Sequence, residues 1–139
     1  MSTRSLVTDN VTELLVKIIE FTQSRQKILR RNINNHHSVG FVPKDLAVGE
    51  FSRSLEVAIN EHVRNRRLVL CDTKNVKFGA GGTFETEPIV DEEARKLLEE
   101  NRDEYLELQL NKLMENSLNQ RLAAELLRQK QGMVSIFEQ

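Results

Sequence analysis

The chain is poor in the residues that usually build a thick core or a covalent framework. Its 139 residues include one cysteine, two prolines, six Phe, one Tyr and no Trp. The single Cys71 cannot form an intramolecular disulfide, so the fold does not depend on an oxidising compartment. Hydrophobic residues make up 39% of the chain and charged residues 29%, and we therefore do not expect a thick single core.

Long apolar runs are also missing. No stretch approaches the roughly 18 consecutive apolar residues of a membrane span, and the start MSTRSLVTDNV lacks the apolar core of a secretory signal. We therefore expect no direct membrane insertion, and we expect any export from the cytoplasm to use a route without a cleaved signal peptide.

The chain also has no large excess of one charge, since it contains 20 Lys and Arg and 21 Asp and Glu. This balance gives no overall field that would attract nucleic acid or an anionic membrane. The charges are nevertheless segregated, with 11 basic and 5 acidic side chains in residues 21–77 and 4 basic and 11 acidic in 85–116. The two segments could neutralise each other within one subunit or attract neighbouring copies, and both remain open.

Two long helices are predicted at the ends of the chain. Apolar residues recur at steps of three and four from Val11 to Ile33, which predicts a helix over 9–33 with its N-cap among residues 8–10. The second helix is predicted over 91–137, because its leucines approximate a heptad stripe and neither Pro nor Gly occurs before Gly132, which we expect to interrupt it.

A helix of that length needs a partner. We therefore expect a mainly α fold in which the terminal helices pair as an antiparallel or coiled-coil-like hairpin. The chain is then a single domain over 1–139, and two helices that each bury one stripe make its isolated monomer marginally stable.

Residues 34–90 are predicted to form a turn, a short helix and an irregular or β insert. The stretch RRNINNHHSVGF ends the first helix, because Asn tolerates the left-handed backbone and Gly40 accepts a positive φ. Pro43 prevents the helix from continuing, and a short helix follows Asp45. Residues 68–90, with GAGG near their centre, indicate a hairpin or an extended loop.

Motifs in both halves of the chain resemble those of the rod proteins of the bacterial flagellar basal body. That family carries N-I-A-N-x-x-T-P-G-Y after an apolar helix with an Arg, and the matching residues here are Arg25, Asn32, Ile33, Asn35, Gly40 and Phe41. Asn34 replaces the usual Ala, and Ser38-Val39 replace Thr-Pro.

The second family pattern is E-x-E-M-x-x-L-x-x-N followed by L-L-x-x-K. Its matches here are Glu107, Gln109, Leu110, Leu113, Asn116, Leu126, Leu127 and Lys130, with Gln120 at the usual Tyr. The resemblance covers residues 10–59 and 104–138.

The resemblance implies a non-enzymatic structural subunit of the flagellar rod, which polymerises into the axial shaft that transmits motor torque. It further implies export by the flagellar type III apparatus, location in the basal body, and contacts with other rod proteins and with copies of the same chain. The expected assembly residues are Leu15, Ile18, Arg25, Leu29, Asn32, Ile33, Asn35, Gly40, Phe41, Leu110, Leu113, Asn116, Leu126, Leu127 and Lys130. The alternative is a helical adaptor or chaperone-like protein that binds one partner and never polymerises.

Other chemistry is weakly indicated. His36 and His37 are adjacent and His62 is distant, so we expect no metal site. We predict that Cys71 is a partly buried thiol in a strand rather than a nucleophile. The GAGG segment lacks the Lys-Ser or Lys-Thr of a phosphate loop. The short basic runs lack aromatic interleaving, so we expect no nucleic-acid partner. We also expect no catalytic site and no cofactor.

Overall fold

The computed structural model describes residues 3–79 and 84–138, and it describes side chains for residues 10–79 and 84–132. Four helices lie in that part of the chain, and they are α1 (Thr3–Asn34), α2 (Val48–Asn65), α3 (Glu92–Glu100) and α4 (Arg102–Glu138). None of these helices, over the described residues, combines the length and the apolar character needed to cross a bilayer. The predicted mainly helical fold is confirmed.

Helices α1 and α4 pack along each other as an antiparallel pair. The end of α1 lies beside the start of α4, where Asn32 bonds to Gln109, and earlier residues of α1 meet later residues of α4, where Thr22 bonds to Asn116. The predicted pairing of the terminal helices is therefore confirmed.

The predicted helix boundaries were partly wrong. Helix α1 begins at Thr3, so residues 8–10 lie inside the helix and do not cap it. The C-terminal helix is broken at Asn101, whose backbone is extended at φ −152° and whose side chain accepts a hydrogen bond from the Glu104 amide. An Asn side chain that bonds to a nearby backbone amide competes with the helical hydrogen bonds. It can therefore interrupt a helix where there is no Pro or Gly. Gly132, by contrast, does not interrupt α4.

Short strands hold the central insert together. Strand β1 (Lys44–Asp45) pairs with β4 (Ile89–Val90), and β2 (Val76–Lys77) pairs with β3 (Glu85–Thr86), both antiparallel. The β2–β3 pair is the hairpin predicted within residues 68–90, although most of the GAGG tip lies outside the described residues. Pairing of β1 with β4 closes the insert where it returns to the helices.

The main apolar core lies between α1, α2 and the insert. Phe21 of α1 stacks on Phe51 of α2, with ring centroids 4.0 Å apart and an interplanar angle of 2°. Phe78 and Phe84 of the hairpin pack around Phe51, and Val76 beside them is buried. Most of the chain's few aromatic residues thus lie on one side of α1, and the α1–α4 contact is left to other side chains.

The turn after α1 depends on Gly40 rather than on the asparagines. Gly40 has φ +75°, whereas no Asn among the described residues has a positive φ. Pro43 is fully buried and leads directly into β1. The predicted role of Gly40 is confirmed, and the expected left-handed asparagines are wrong.

We expect Gly40→Ala to lower the free energy of unfolding by about 1 kcal/mol, because an L-residue at φ +75° is strained. No heavy atom lies within 4 Å of a Cβ built at this position, so the cost would be conformational. Urea unfolding followed by circular dichroism measures it. Gly49→Ala in the first turn of α2 is the matched control, also without a clash, and should be neutral or slightly stabilising. An equal effect of both substitutions would contradict this prediction.

Candidate functional site: a polar seam between the terminal helices

The contact between α1 and α4 is built around buried polar side chains. We call these residues the polar seam, and they are Thr22, Arg25, Asn32, Tyr105, Gln109, Lys112 and Asn116. All except Lys112 are buried, and Lys112 is half-buried. Burying so many polar groups costs free energy unless each finds a partner. The partners therefore define how the two helices must be aligned.

Asn32 fastens the end of α1 to both the insert and α4. Its Nδ2 donates to the Lys44 carbonyl at 2.7 Å and to Gln109 Oε1 at 3.0 Å. Its Oδ1 accepts from the Lys44 amide at 3.3 Å. The side-chain amide thus pairs with the Lys44 backbone much as a neighbouring strand would, which fixes the return path of the chain after the turn.

Tyr105 and Gln109 complete this end of the seam. The Tyr105 hydroxyl donates to the Asn32 carbonyl at 2.7 Å, so it satisfies one of the free carbonyls at the end of α1. Burial, with Asp91 nearby, raises the pKa of Tyr105 to about 12, which keeps the hydroxyl protonated as a donor. Gln109 Nε2 is buried and finds no acceptor among the described side chains and backbone.

Asn116 makes the corresponding bond near the middle of the hairpin. Its Nδ2 donates to the Thr22 carbonyl at 2.8 Å, and the Asn116 side chain is buried. The Thr22 hydroxyl bonds within its own helix to the carbonyls of Ile18 and Ile19. Asn32 and Asn116 therefore link the two helices at positions ten residues apart on α1.

A buried ionic cluster lies between these two asparagines, and it consists of Arg25, Asp45, Asp91 and Lys112. Arg25 Nε and Nη2 donate to the two carboxylate oxygens of Asp45, both at 2.9 Å. Lys112 Nζ bridges Asp45, at 3.2 Å, and Asp91. Two positive and two negative charges are thereby balanced at one point where α1, β1, the start of α3 and α4 meet.

The carboxylates of the cluster also organise the local backbone. Asp45 Oδ1 accepts from the Leu46 amide, and Asp91 Oδ1 accepts from the Ala94 amide and so caps α3. The Asp91 amide donates to the Pro43 carbonyl. Asp45 therefore links the end of β1 to cations of both terminal helices, and Asp91 links the start of α3 to Lys112 of α4.

The cluster stabilises the ionised forms of its members. Burial alone would raise the pKa of Asp45, but the hydrogen bonds and charge of Arg25, together with Lys112, outweigh it and hold the pKa below its usual value. Burial alone would lower the pKa of Lys112, and the contacts with Asp91 and Asp45 raise it instead. Asp45 and Lys112 are consequently both charged near neutral pH.

The expected assembly residues fall into three groups. The buried ones are Leu15, Arg25, Leu29, Asn32 and Asn116. The half-buried ones are Ile18, Ile33, Asn35, Phe41, Leu113, Leu127 and Lys130. The exposed ones are Gly40, Leu110 and Leu126. Arg25, Asn32 and Asn116 all lie in the polar seam, whereas the Asn35 side chain donates to the Arg31 carbonyl four residues earlier.

The leucine stripe predicted for α4 forms only part of its inner side. Tyr105 of the stripe is buried against α1, and Leu113 and Leu127 are half-buried, whereas Leu110 and Leu118 are exposed. We call the exposed row of five apolar side chains on α4 the leucine ridge, and its members are Leu110, Met114, Leu118, Leu122 and Leu126. The buried side of α4 includes polar residues, Gln109 and Asn116, which the leucine spacing did not indicate.

Sequence reasoning missed Asp45, Asp91 and Lys112 as members of the site. Asp91 had a usable signal, because Asp immediately before Glu-Glu-Ala is a typical helix N-cap. Asp45 and Lys112 had no such local signal. Asp45 pairs with Arg25, 20 residues away in the chain, and Lys112 pairs with Asp91, 21 residues away, and with Asp45, which is farther still.

The residues considered for other chemistry remain apart. The rings of His36 and His37 are tilted by 44° with their centroids 3.7 Å apart, whereas His62 lies near Asn10. No group of three or more His, Cys, Asp or Glu side chains within the described ranges is arranged to hold a metal ion. Cys71 is exposed and outside any strand, so its predicted partial burial in a strand is wrong.

An apolar groove runs beside the polar seam, between α2 and α4 and over α1. Its volume is about 260 Å³, and its walls include Leu55 of α2 and Leu122 of α4, with Phe21 and Thr22 below. The groove is open to solvent along one side of the hairpin. Together with the leucine ridge it gives the molecule an apolar surface next to a rigid polar interior.

No protein-family model, curated protein or solved structure matches this chain. The fold and its site define a two-helix hairpin with a polar seam and a small β insert. Its function is therefore inferred from its own residues.

We expect Asn116→Ala to lower the free energy of unfolding by about 1–2 kcal/mol, because it removes a buried hydrogen bond between α1 and α4. Asn119→Ala is the matched control, since Asn119 is exposed on the same helix and gains the same helix propensity. Chemical denaturation of both variants isolates the seam contribution. If both lose stability equally, the seam bond contributes nothing specific.

The ionic cluster predicts a pH dependence of stability. A lowered pKa for Asp45 in the folded state gives stability that is complete above about pH 4 and is lost as pH falls through the lowered value. We expect Asp45→Asn to cost about 3 kcal/mol at pH 7, because Arg25 and Lys112 lose their buried carboxylate partner.

The stability gap between the wild type and Asp45→Asn should then narrow as pH falls from about 4 towards 2. Thermal unfolding across this pH range tests it, with the exposed Glu56→Gln as the control that should follow the wild type. A gap that stays constant with pH would show that the Asp45 charge is not the stabilising element.

Proposed function

We propose that this protein is a non-enzymatic structural subunit of the bacterial flagellar basal-body rod. One observation carries the proposal. Four polar residues that were matched to the two rod-family motifs from sequence, namely Arg25, Asn32, Gln109 and Asn116, are all buried and belong to the polar seam between α1 and α4.

This convergence supports the resemblance on physical grounds. Polar residues chosen at random along amphipathic helices lie mostly on the solvent side, whereas these four are all buried at the α1–α4 contact. Asn32 there bonds to Gln109, and Asn116 bonds to the Thr22 carbonyl 94 residues away in the chain. The two motifs lie in opposite halves of the chain, and their shared location is explained if each contributes one side of the polar seam. A subunit that transmits torque needs such a fixed helix register.

The seam has mechanical consequences. Sliding α4 along α1 by one helical turn would separate Asn32 from Gln109 and Lys112 from Asp45, leaving buried polar and charged groups without partners. The hairpin therefore resists axial shear better than a uniform apolar contact, in which one leucine replaces another. Resistance to shear is the property that a drive shaft requires of its subunits.

The test is deletion of the gene in its own bacterium and its restoration on a plasmid. We expect hook-basal bodies and swimming to disappear and to return with the wild-type gene. We also expect Leu110→Glu to fail to restore them, because Leu110 is half exposed, matches the second motif and is free to contact a neighbour.

Val63→Glu on α2 is the control, since Val63 is similarly exposed but lies outside both motifs, and it should restore assembly. Electron microscopy of isolated basal bodies and a swimming assay provide the readouts, with immunoblots to verify equal expression. Basal bodies that persist unchanged after deletion would refute the rod proposal.

A second candidate, a helical adaptor or chaperone-like protein, is favoured by the open apolar groove between α2 and α4. Grooves of this kind accept the apolar face of an amphipathic helix. Cell fractionation separates the two functions, because a rod subunit sediments with basal bodies and an adaptor remains in a soluble complex with one partner.

A further inference from the structure

The leucine ridge is an exposed apolar row that neither the polar seam nor the main core covers. Its members leave 49% of Leu110, 64% of Met114, 64% of Leu118, 60% of Leu122 and 44% of Leu126 exposed. They follow one another at four-residue intervals, so the row winds around α4 from the side opposite the polar seam towards the apolar groove, which Leu122 and Leu126 also line. Single exposed leucines are ordinary, but five in an unbroken row require a partner surface.

The area of the ridge is that of a small interface. Only the three central members, Met114, Leu118 and Leu122, can face one partner at the same time, because successive members of the row are turned by about 40° around the helix. With the flanking Glu115 and Arg121 side chains, two copies together would bury up to about 1,000 Å², which is about where specific protein–protein interfaces begin. The ridge is thus large enough to hold a second copy with moderate affinity.

We propose that the free protein forms a twofold-symmetric dimer in which the leucine ridges of two α4 helices pack against each other. A row at four-residue spacing is inclined to its helix axis, and two such rows align when the helices cross at about −50°. Leu118, the central residue of the ridge, then lies at the crossing point.

Charges beside the ridge select the direction of the pair. Glu115 and Arg121 are both exposed, and they stand three residues before and after Leu118, on opposite sides of the ridge. If the two α4 helices run in the same direction, the twofold axis lies along the ridges. Each Glu115 then faces Arg121 of the other copy. The reverse direction places Glu115 opposite Glu115 and Arg121 opposite Arg121, which is repulsive.

Neither residue has a competing ion pair among the described side chains. Both are therefore available to a second copy. The geometry assigns two Glu115–Arg121 pairs to the dimer, one on each side of Leu118, so the contact has an apolar centre and a charged rim.

This dimer goes beyond the rod proposal and does not depend on it. A closed twofold pair uses the same surface on both copies, so it cannot extend into a filament through that surface. The dimer hides the ridge until a different neighbour replaces the second copy. If the purified protein is monomeric, the dimer proposal fails and the rod proposal is unaffected. If basal bodies persist after gene deletion, the rod proposal fails and the dimer proposal is unaffected.

Sedimentation equilibrium of the purified full-length protein, from about 1 µM to about 1 mM, tests the inference. We expect a monomer–dimer equilibrium whose dissociation constant rises at least about tenfold in Leu118→Glu, because a central charged side chain cannot be desolvated. Val63→Glu, which places the same charge on an equally exposed valine of α2, should leave the constant unchanged. A monomer at every concentration, or equal effects of both variants, would overturn the proposal.

Charge reversal tests the direction. Glu115→Arg alone and Arg121→Glu alone should each weaken the dimer, and the double reversal should restore it, because opposite charges then face each other again. In a Cys71→Ser background, Met114→Cys should form a disulfide-linked dimer by itself. If Met114→Cys crosslinks only when mixed with Leu122→Cys, the helices run in opposite directions and the assigned pairs are wrong.

Discussion

The buried cluster of Arg25, Asp45, Asp91 and Lys112 is the constraint on which the rest of the structure depends. It joins α1, the closing strand pair of the insert and α4. Loss of Asp45 would leave Arg25 buried without its carboxylate partner, and loss of Lys112 would leave Asp91 without its cation. The cluster thereby couples elements that are distant in the chain. Asn32 and Asn116 extend the same constraint on either side along the hairpin.

The molecule separates its apolar and polar interiors. The stacked rings of Phe21 and Phe51 and the hairpin side chains around them form a small core that supplies hydrophobic stabilisation. The α1–α4 contact supplies less hydrophobic stabilisation, because much of its centre is polar. A contact of this composition specifies register more than it stabilises, since only one alignment satisfies all its hydrogen bonds. This division is suited to a subunit whose helix geometry has to be fixed before it meets its neighbours.

The exposed surface follows from the same division. Polar residues occupy much of the inner side of α4, and Leu110 and Leu118 of the predicted heptad stripe are exposed. The helix therefore has one face that packs on its own chain and an exposed apolar row that we propose contacts a second copy. The apolar groove between α2 and α4 continues that outer surface.

The sequence by itself determined the helical character, the two long terminal helices and the turn at Gly40, because these depend on local periodicity and on backbone conformations that particular residues allow. It also placed a hairpin within residues 68–90. The break at Asn101, the polar composition of the seam and the outward position of Leu110 and Leu126 were decided only by the tertiary structure. Periodicity indicates that a helix has a preferred face, but it cannot show whether a buried Asn or an apolar Leu meets the partner helix. That choice depends on hydrogen-bond partners such as Lys44 and Asp45, which are distant in the chain and come together only when the whole fold forms.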